Sequence, residues 1–334
     1  MKLLLIRHGE TVDNVAGLYA GVRDSALTNH GVDQASRLGD YLAKNCPKVT
    51  HIFASPLSRA FKTATAVQKA QCKLLAAAAV PDEIEIVKVA DLIEQDFGYY
   101  EGKPFYARSD SKRSGREVHY DQHKDDPGFM DVESKESMCK RADTFLDEHL
   151  LPLFDHDTTS SELTVIVVSH GILLSNLWRR LLLRLPRKSL TIAPEVTAAK
   201  DNIVLEHLGG WSNTGYLELS IRKEDAQKDV SSTVGETSNE GLLVPQSMET
   251  PVPPFDKASA AKVILDASDS LATEVDTKTF QTPRSLAGCN TTISAVDSKA
   301  HLIGLKRQRG GIGRLAHDEG QKKLEGFFKK QRKS

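Results

Sequence analysis

The sequence predicts an α/β domain built on a mostly parallel sheet. Three observations carry that expectation. Leu3–Ile6, Val49–Ala54 and Leu163–Val168 are short, charge-free apolar runs, too brief for helices and without alternation, as strands covered on both faces read. Each run is followed by a polar loop and the start of a helical pattern, the rhythm of strand–crossover–strand units. The loops carry the chemistry-bearing residues, which suits an open sheet whose ligands gather at the carboxyl ends of its strands.

The first strand runs into Arg7-His8-Gly9-Glu10-Thr11. An imidazole there can attack phosphorus, a neighbouring guanidinium can hold phosphate oxygens, and a glycine admits close backbone approach. Farther on, Thr28 is an N-cap candidate, with Val32, Ala35, Leu38, Tyr41 and Leu42 at helical spacing behind it. The second strand ends in Ser55-Pro56-Leu57-Ser58-Arg59-Ala60, where Pro56 suits a helix start and Arg59 falls in the first turn, beside an anion-favouring helix N-terminus.

Glu85–Val89 reads as a third strand, followed by Leu92-Ile93-Glu94-Gln95-Asp96. Residues 103–132 are polar and punctuated and read as an insertion over the strand ends. His119 and His123, four apart, form either a metal-binding pair or part of a surface helix. Ser134–Leu151 returns to helical periodicity and is stopped by Pro152. Leu163–Val168 is the clearest buried strand and leads through Ser169-His170-Gly171 into a helix from Ile172 to Leu185. Residues 202–208 and 214–221 read as a closing hairpin around Gly209-Gly210.

Four separated stretches occur in an order that resembles the histidine phosphatase (phosphoglycerate mutase-like) superfamily. They are Arg7-His8-Gly9-Glu10-Thr11, Ser55-Pro56…Arg59-Ala60…Thr63-Ala64, Leu92…Glu94…Gly98…Glu101-Gly102, and Val168-Ser169-His170-Gly171. The segment Gly21…Asp24…Leu27-Thr28…Gly31 adds a fifth. The resemblance covers about residues 1–222. It implies a three-layer α/β/α fold and phosphoryl transfer without a metal or other cofactor. His8 is the implied nucleophile, Arg7, Arg59 and Asn14 the phosphate ligands, and His170 a donor to the phosphoryl oxygens, helped by the Gly171 amide. Glu94 is the implied proton donor, with a pKa raised by burial and by the substrate, and Asp96 is its rival. Glu101 reads as a structural residue of the turn. The long arginine-rich insertion of the glycolytic mutases is missing, which favours a phosphatase over a phosphomutase.

The formal net charge of −1 gives no global attraction to nucleic acid or membrane. The four cysteines have no metal-ligand spacing and suit a reducing compartment. A strand beginning at residue 2 leaves no room for a leader peptide, so a cytoplasmic or nuclear protein is expected. Both tryptophans and every tyrosine lie at or before Tyr216. From there composition turns to Ser, Thr, Glu, Pro and Lys, so residues 223–300 read as a disordered linker. Residues 301–334 form a basic tail, ten Lys and Arg against three acids, whose clusters at 306–309 and 329–333 suit nuclear import or are merely solvated charge. Between the clusters lies Gln321-Lys322-Lys323-Leu324-Glu325-Gly326-Phe327-Phe328. It resembles the PIP box by which replication and repair proteins bind the sliding clamp PCNA. Leu324, Phe327 and Phe328 would share one face of a tight turn and Gln321 would offer its amide.

Overall fold

A computed structural model describes residues 1–46, 49–77, 84–105, 120–121, 123–155, 163–199, 203–223, 285–309 and 311–318. Its frame is a seven-stranded sheet. The strands are β1 (Lys2–Arg7), β2 (His51–Ala54), β3 (Ile86–Lys88), β4 (Thr164–Ser169), β5 (Leu190–Ile192), β6 (Tyr216–Lys223) and β7 (Cys289–Ser298). Their spatial order is β3-β2-β4-β1-β6-β7-β5, and only β6 runs against the rest.

The centre of the sheet follows from the apolar runs. Leu3, Leu4, Leu5 and Ile6 are all fully buried, as are Val165 to Val168. Side chains alternate between the two faces. Leu3, Leu5, Val165 and Val167 meet Met138, Ala142 and Phe145 of helix α4 (Lys135–Phe145) and Leu173, Leu177 and Leu181 of α5 (Gly171–Leu182). Leu4, Ile6, Ile166 and Val168 meet Leu38 and Leu42 of α2 (Asn29–Asn45) and Ala60, Ala64 and Val67 of α3 (Ser58–Ala77). Helices therefore cover both faces, in three layers. Burying each such aliphatic side chain contributes about 1.5–3 kcal/mol.

The helix starts are set chemically. Thr28 caps α2 through a 2.9 Å bond from the Gly31 amide, and Ser134 caps α4 by the same device. A short helix, α1 (Val12–Ala16), opens with a reciprocal cap between Thr11 and Asn14.

Two expectations about the far end of the chain need correction. Residues 203–208 do not pair with β6; Val204 and His207 bridge only each other. The partner of β6 is β7, which falls inside the stretch read as linker. Leu286, Cys289 and Ile293 are buried in the same cluster as Leu3 and Leu5. Ser and Thr make up four of its ten residues and the apolar ones do not alternate cleanly, so its composition hid a strand that is stabilised by pairing on both sides. The chain then crosses to α2, where Arg37 donates to the Ile303 carbonyl and the Asn29 side chain to that of Ile312. Arg307, in the first basic cluster, is paired with Glu10. His119, the second basic cluster and Gln321, Leu324, Phe327 and Phe328 lie outside the described residues. No described helix is long and apolar enough to cross a membrane.

Candidate active site

The carboxyl ends of β1 and β4 and the starts of α3 and α5 converge on a cavity of about 610 Å³. Arg7, His8, Asn14, Arg59, Glu94 and Gly171 line it, six of the seven residues singled out for the site in the sequence. The outer wall is largely apolar, with Leu18, Tyr19, Phe97, Phe105, Ile172 and Trp211, and Arg179 stands at its α5 side.

His8 is buried, and its Nδ1 lies 2.7 Å from the Gly9 carbonyl. A carbonyl only accepts, so Nδ1 carries the proton and the neutral ring keeps its lone pair on Nε2. Burial, then the charges of Arg7 and Arg59, hold the His8 pKa well below the usual histidine value, against the pull of the Gly9 carbonyl. The ring is thus neutral at neutral pH, with its Nε2 lone pair available. The Gly9 amide is tied to Thr63 Oγ1 at 3.0 Å. A side chain at Gly9 would meet the Gly31 carbonyl at 2.7 Å, so the loop can lie this close to α2 only as glycine.

Arg7 donates from Nη1 to the Trp211 carbonyl at 2.6 Å, while its buried Nε has no partner among the described residues. Arg59 is anchored by three backbone carbonyls, those of Arg23, Ala20 and Gly21. Burial presses both guanidinium pKa values downward, and the Glu94 charge acts in the opposite sense. Asn14 spends its side-chain oxygen on the Thr11 amide and on Asn213.

His170 sits behind the cavity wall, its ring centroid 5.1 Å from that of His8. Its Nδ1 accepts from Arg59 Nε at 3.2 Å, so in the neutral ring Nε2 carries the proton and donates to Ser55 Oγ at 2.9 Å. Burial first, and then the Arg59 charge, keep its pKa well below the usual value. Both ring nitrogens are engaged within the protein, an arrangement the sequence did not suggest.

Glu94 is held by the opening turn of α5. The amides of Ile172 and Leu173 donate to its two carboxylate oxygens at 3.1 and 3.0 Å. Asp96 instead accepts from the Gly98 amide at 2.7 Å. Glu101 gathers the backbone amides of Gly21, Val22, Arg23 and Phe97, the structural part expected of it. His123 pairs with Asp126 at 2.8 Å and stacks on Tyr99. No group of three candidate metal ligands occurs among the described residues.

Sequence reasoning missed the loop that backs His8. The Thr214 amide reaches the carbonyls of Arg7 and His8, and Asn213 Nδ2 the latter as well. Thr214 has φ of +57°, a left-handed conformation that a β-branched residue adopts only when its surroundings enforce it. No spacing rule links residue 8 to residue 214, so no local signal was there to find.

An α/β sheet with a histidine, two arginines and a carboxylate around one cavity defines a class of phosphoryl-transfer proteins. The profile of the histidine phosphatase superfamily (branch 1) matches residues 3–211, and the chain belongs to that superfamily. It is 33% identical over 184 residues to a probable phosphatase of Schizosaccharomyces pombe, an overlap of 54% of this chain and 56% of the relative, so it spans little more than half of that relative's length. It is 29% identical over 177 residues to phosphoserine phosphatase 1 of Hydrogenobacter thermophilus, covering 52% of this chain and 72% of that one. Among solved structures, a mycobacterial glucosyl-3-phosphoglycerate phosphatase superposes with a TM-score of 0.45 at 22% identity, over 65% of this chain and 89% of the other.

Proposed function

We propose that the chain is a metal-independent phosphomonoesterase working through a phosphohistidine on His8 Nε2. The observation that carries the reading is the His8 ring itself. Nδ1–H is committed to the Gly9 carbonyl, which leaves the Nε2 lone pair in a cavity lined by Arg7, Arg59 and Glu94. In the first step Nε2 bonds to phosphorus as the ester P–O bond breaks, and protonated Glu94 gives its proton to the leaving oxygen. In the second, Glu94 takes a proton from water, the water oxygen bonds to phosphorus and the N–P bond breaks. Arg7 Nε, without a partner among the described residues, and Arg59 hold the phosphoryl oxygens as charge moves across them, and the Asn14 amide assists. His170 contributes by orienting Arg59; a direct bond from Nε2 to the phosphoryl group would require it to leave Ser55.

A phosphomutase shares the first step and returns the phosphoryl group to substrate. The phosphatase names of the two relatives above and the missing arginine-rich insertion favour hydrolysis. Release of inorganic phosphate from a panel of phosphomonoesters, with EDTA present, tests the reading. His8→Ala should lose at least about 10³-fold in kcat. Full activity in that variant would end the proposal, and phosphoryl exchange between substrates without release would select the mutase.

A tether to the sliding clamp through Gln321, Leu324, Phe327 and Phe328 is supported by the sequence pattern and its basic flanks. Phe327→Ala with Phe328→Ala should abolish capture on immobilised PCNA with catalysis unchanged. Retained capture would dismiss the motif and leave a phosphatase with no clamp role.

A further inference from the structure

We infer that the segment returning to the domain after residue 284 braces the nucleophile, and that Arg307 is a positioning residue for His8. The inference rests on His8 being the nucleophile. It begins with Glu10, a buried carboxylate two residues past His8. Arg307 Nη1 and Nη2 each donate to one of its oxygens, at 2.6 and 2.5 Å, and Thr28 Oγ1 donates to Oε1 at 2.8 Å. Burial works to raise the Glu10 pKa; the hydrogen bonds from Arg307 and Thr28 overcome it, and the net direction is downward.

The peptide unit between Gly9 and Glu10 is planar and moves as one body. One end is the carbonyl that takes the His8 Nδ1 proton, and the other is the Glu10 amide, which donates to Gln34 Oε1 at 3.0 Å. Whatever fixes Glu10 therefore fixes the oxygen that selects the His8 tautomer. There is little slack on the α2 side, since a Cβ on Gly31 would meet the Glu10 carbonyl at 2.1 Å.

The same returning segment grips the other flank of the nucleophile. Asp297 accepts from the Ser212 amide and hydroxyl, both at 2.8 Å. His301 donates from Nε2 to Thr214 Oγ1 at 2.9 Å, because the Thr214 hydroxyl is spent on the Asn213 carbonyl. Those contacts hold the loop whose Trp211 carbonyl takes Arg7, and whose Thr214 amide backs Arg7 and His8. Asp297, His301 and Arg307 thus act within ten residues of one another on both sides of a histidine some 290 positions earlier. The pair joins a buried carboxylate to an exposed arginine, so its net contribution to stability is small.

The test uses the full chain carrying Arg307→Ala, Arg307→Lys, and Arg307→Ala with Glu10→Gln. Two quantities are read for each folded variant: kcat and KM on p-nitrophenyl phosphate, and the 15N shifts of the His8 ring, which report its tautomer. Arg307→Ala should lower kcat at least about tenfold with KM nearly unchanged, and should shift His8 from the Nδ1–H form toward a mixture. Arg307→Lys should recover most of both readouts. Glu10→Gln should recover part in the alanine background, because it removes the buried charge left unpaired. Wild-type kcat and tautomer in Arg307→Ala would overturn the inference. Should that variant not fold, Arg307→Ala with Glu10→Gln carries the test: a lowered kcat with a mixed His8 tautomer supports the inference, and wild-type kcat with the Nδ1–H tautomer there overturns it. If wild type hydrolyses no ester, the phosphatase reading fails, while the 15N readout still decides whether Arg307 controls the His8 ring.

Discussion

The β1–β4 centre and the returning segment from residue 285 meet at the same histidine and are written in different languages. The centre is made of residues whose neighbours in sequence reveal their role. Each of Arg7, His8, Arg59 and His170 ends or follows a strand or stands in the first turn of a helix, and hydrophobic pattern and turn chemistry mark it. The returning segment has a strand in which six of ten residues are Asn, Thr, Ser or Ala, and side chains whose partners are hundreds of residues away. A site can therefore have conspicuous residues lining its cavity and an inconspicuous support behind them, because support is defined by what it touches and not by what precedes it.

The contrast can be broken or sharpened by experiment. The largest expected effect lies in the centre: Glu94→Gln should lower kcat by about 10²–10⁴-fold on esters with poor leaving groups, and by far less where the leaving oxygen needs no proton. An equal loss on both would move the donor role elsewhere, with Asp96 the first alternative. Next comes the strand that sequence reading took for linker. Ile293 is fully buried among Leu219, Leu217 and Cys289, so Ile293→Ala should cost about 2–5 kcal/mol of unfolding free energy, as a core truncation does. A cost under about 0.5 kcal/mol by urea titration would make β7 an ornament on a domain complete without it.

Acid should loosen the brace. Burial lowers the His301 pKa from its ordinary 6.5 to about 4, and its buried Nδ1 has no acceptor for a second proton among the described residues. Between those values the unfolded chain binds a proton that the folded one refuses, so stability falls as pH drops from about 6.5 toward 4 and flattens below. Buried His8 and His170 act in the same direction. His301→Gln, keeping a donor for Thr214, should reduce the slope of unfolding free energy against pH by up to about 1.4 kcal/mol per unit in that window. An unchanged slope would mean that His301 titrates as it does in the open chain. The smallest effect belongs to the cap of α2: Thr28→Ala should cost about 1 kcal/mol from the cap, plus the bond to Glu10. A larger loss in the presence of Arg307 than in its absence would show that the two residues serve Glu10 jointly.

Much of the site was legible because motif residues sit where strands end. Asn14 and Gly171 reach the cavity as expected, and Glu94 does so while Asp96 caps a turn. His170 was legible in place but not in its bonds: the Arg59 contact depends on two helices docking at one angle, which no run of residues encodes.

The sequence by itself determined the order and burial of the central strands, the capped starts of α2 and α4, and which residues stand at the strand ends, since these follow from local periodicity and turn chemistry. Tertiary structure alone decided the tautomers of His8 and His170, the left-handed Thr214, the insertion of β7 beside β6 and the pairing of Arg307 with Glu10. Each of those requires groups far apart in the chain to be brought within hydrogen-bond reach, and that happens only when the sheet and its helices close.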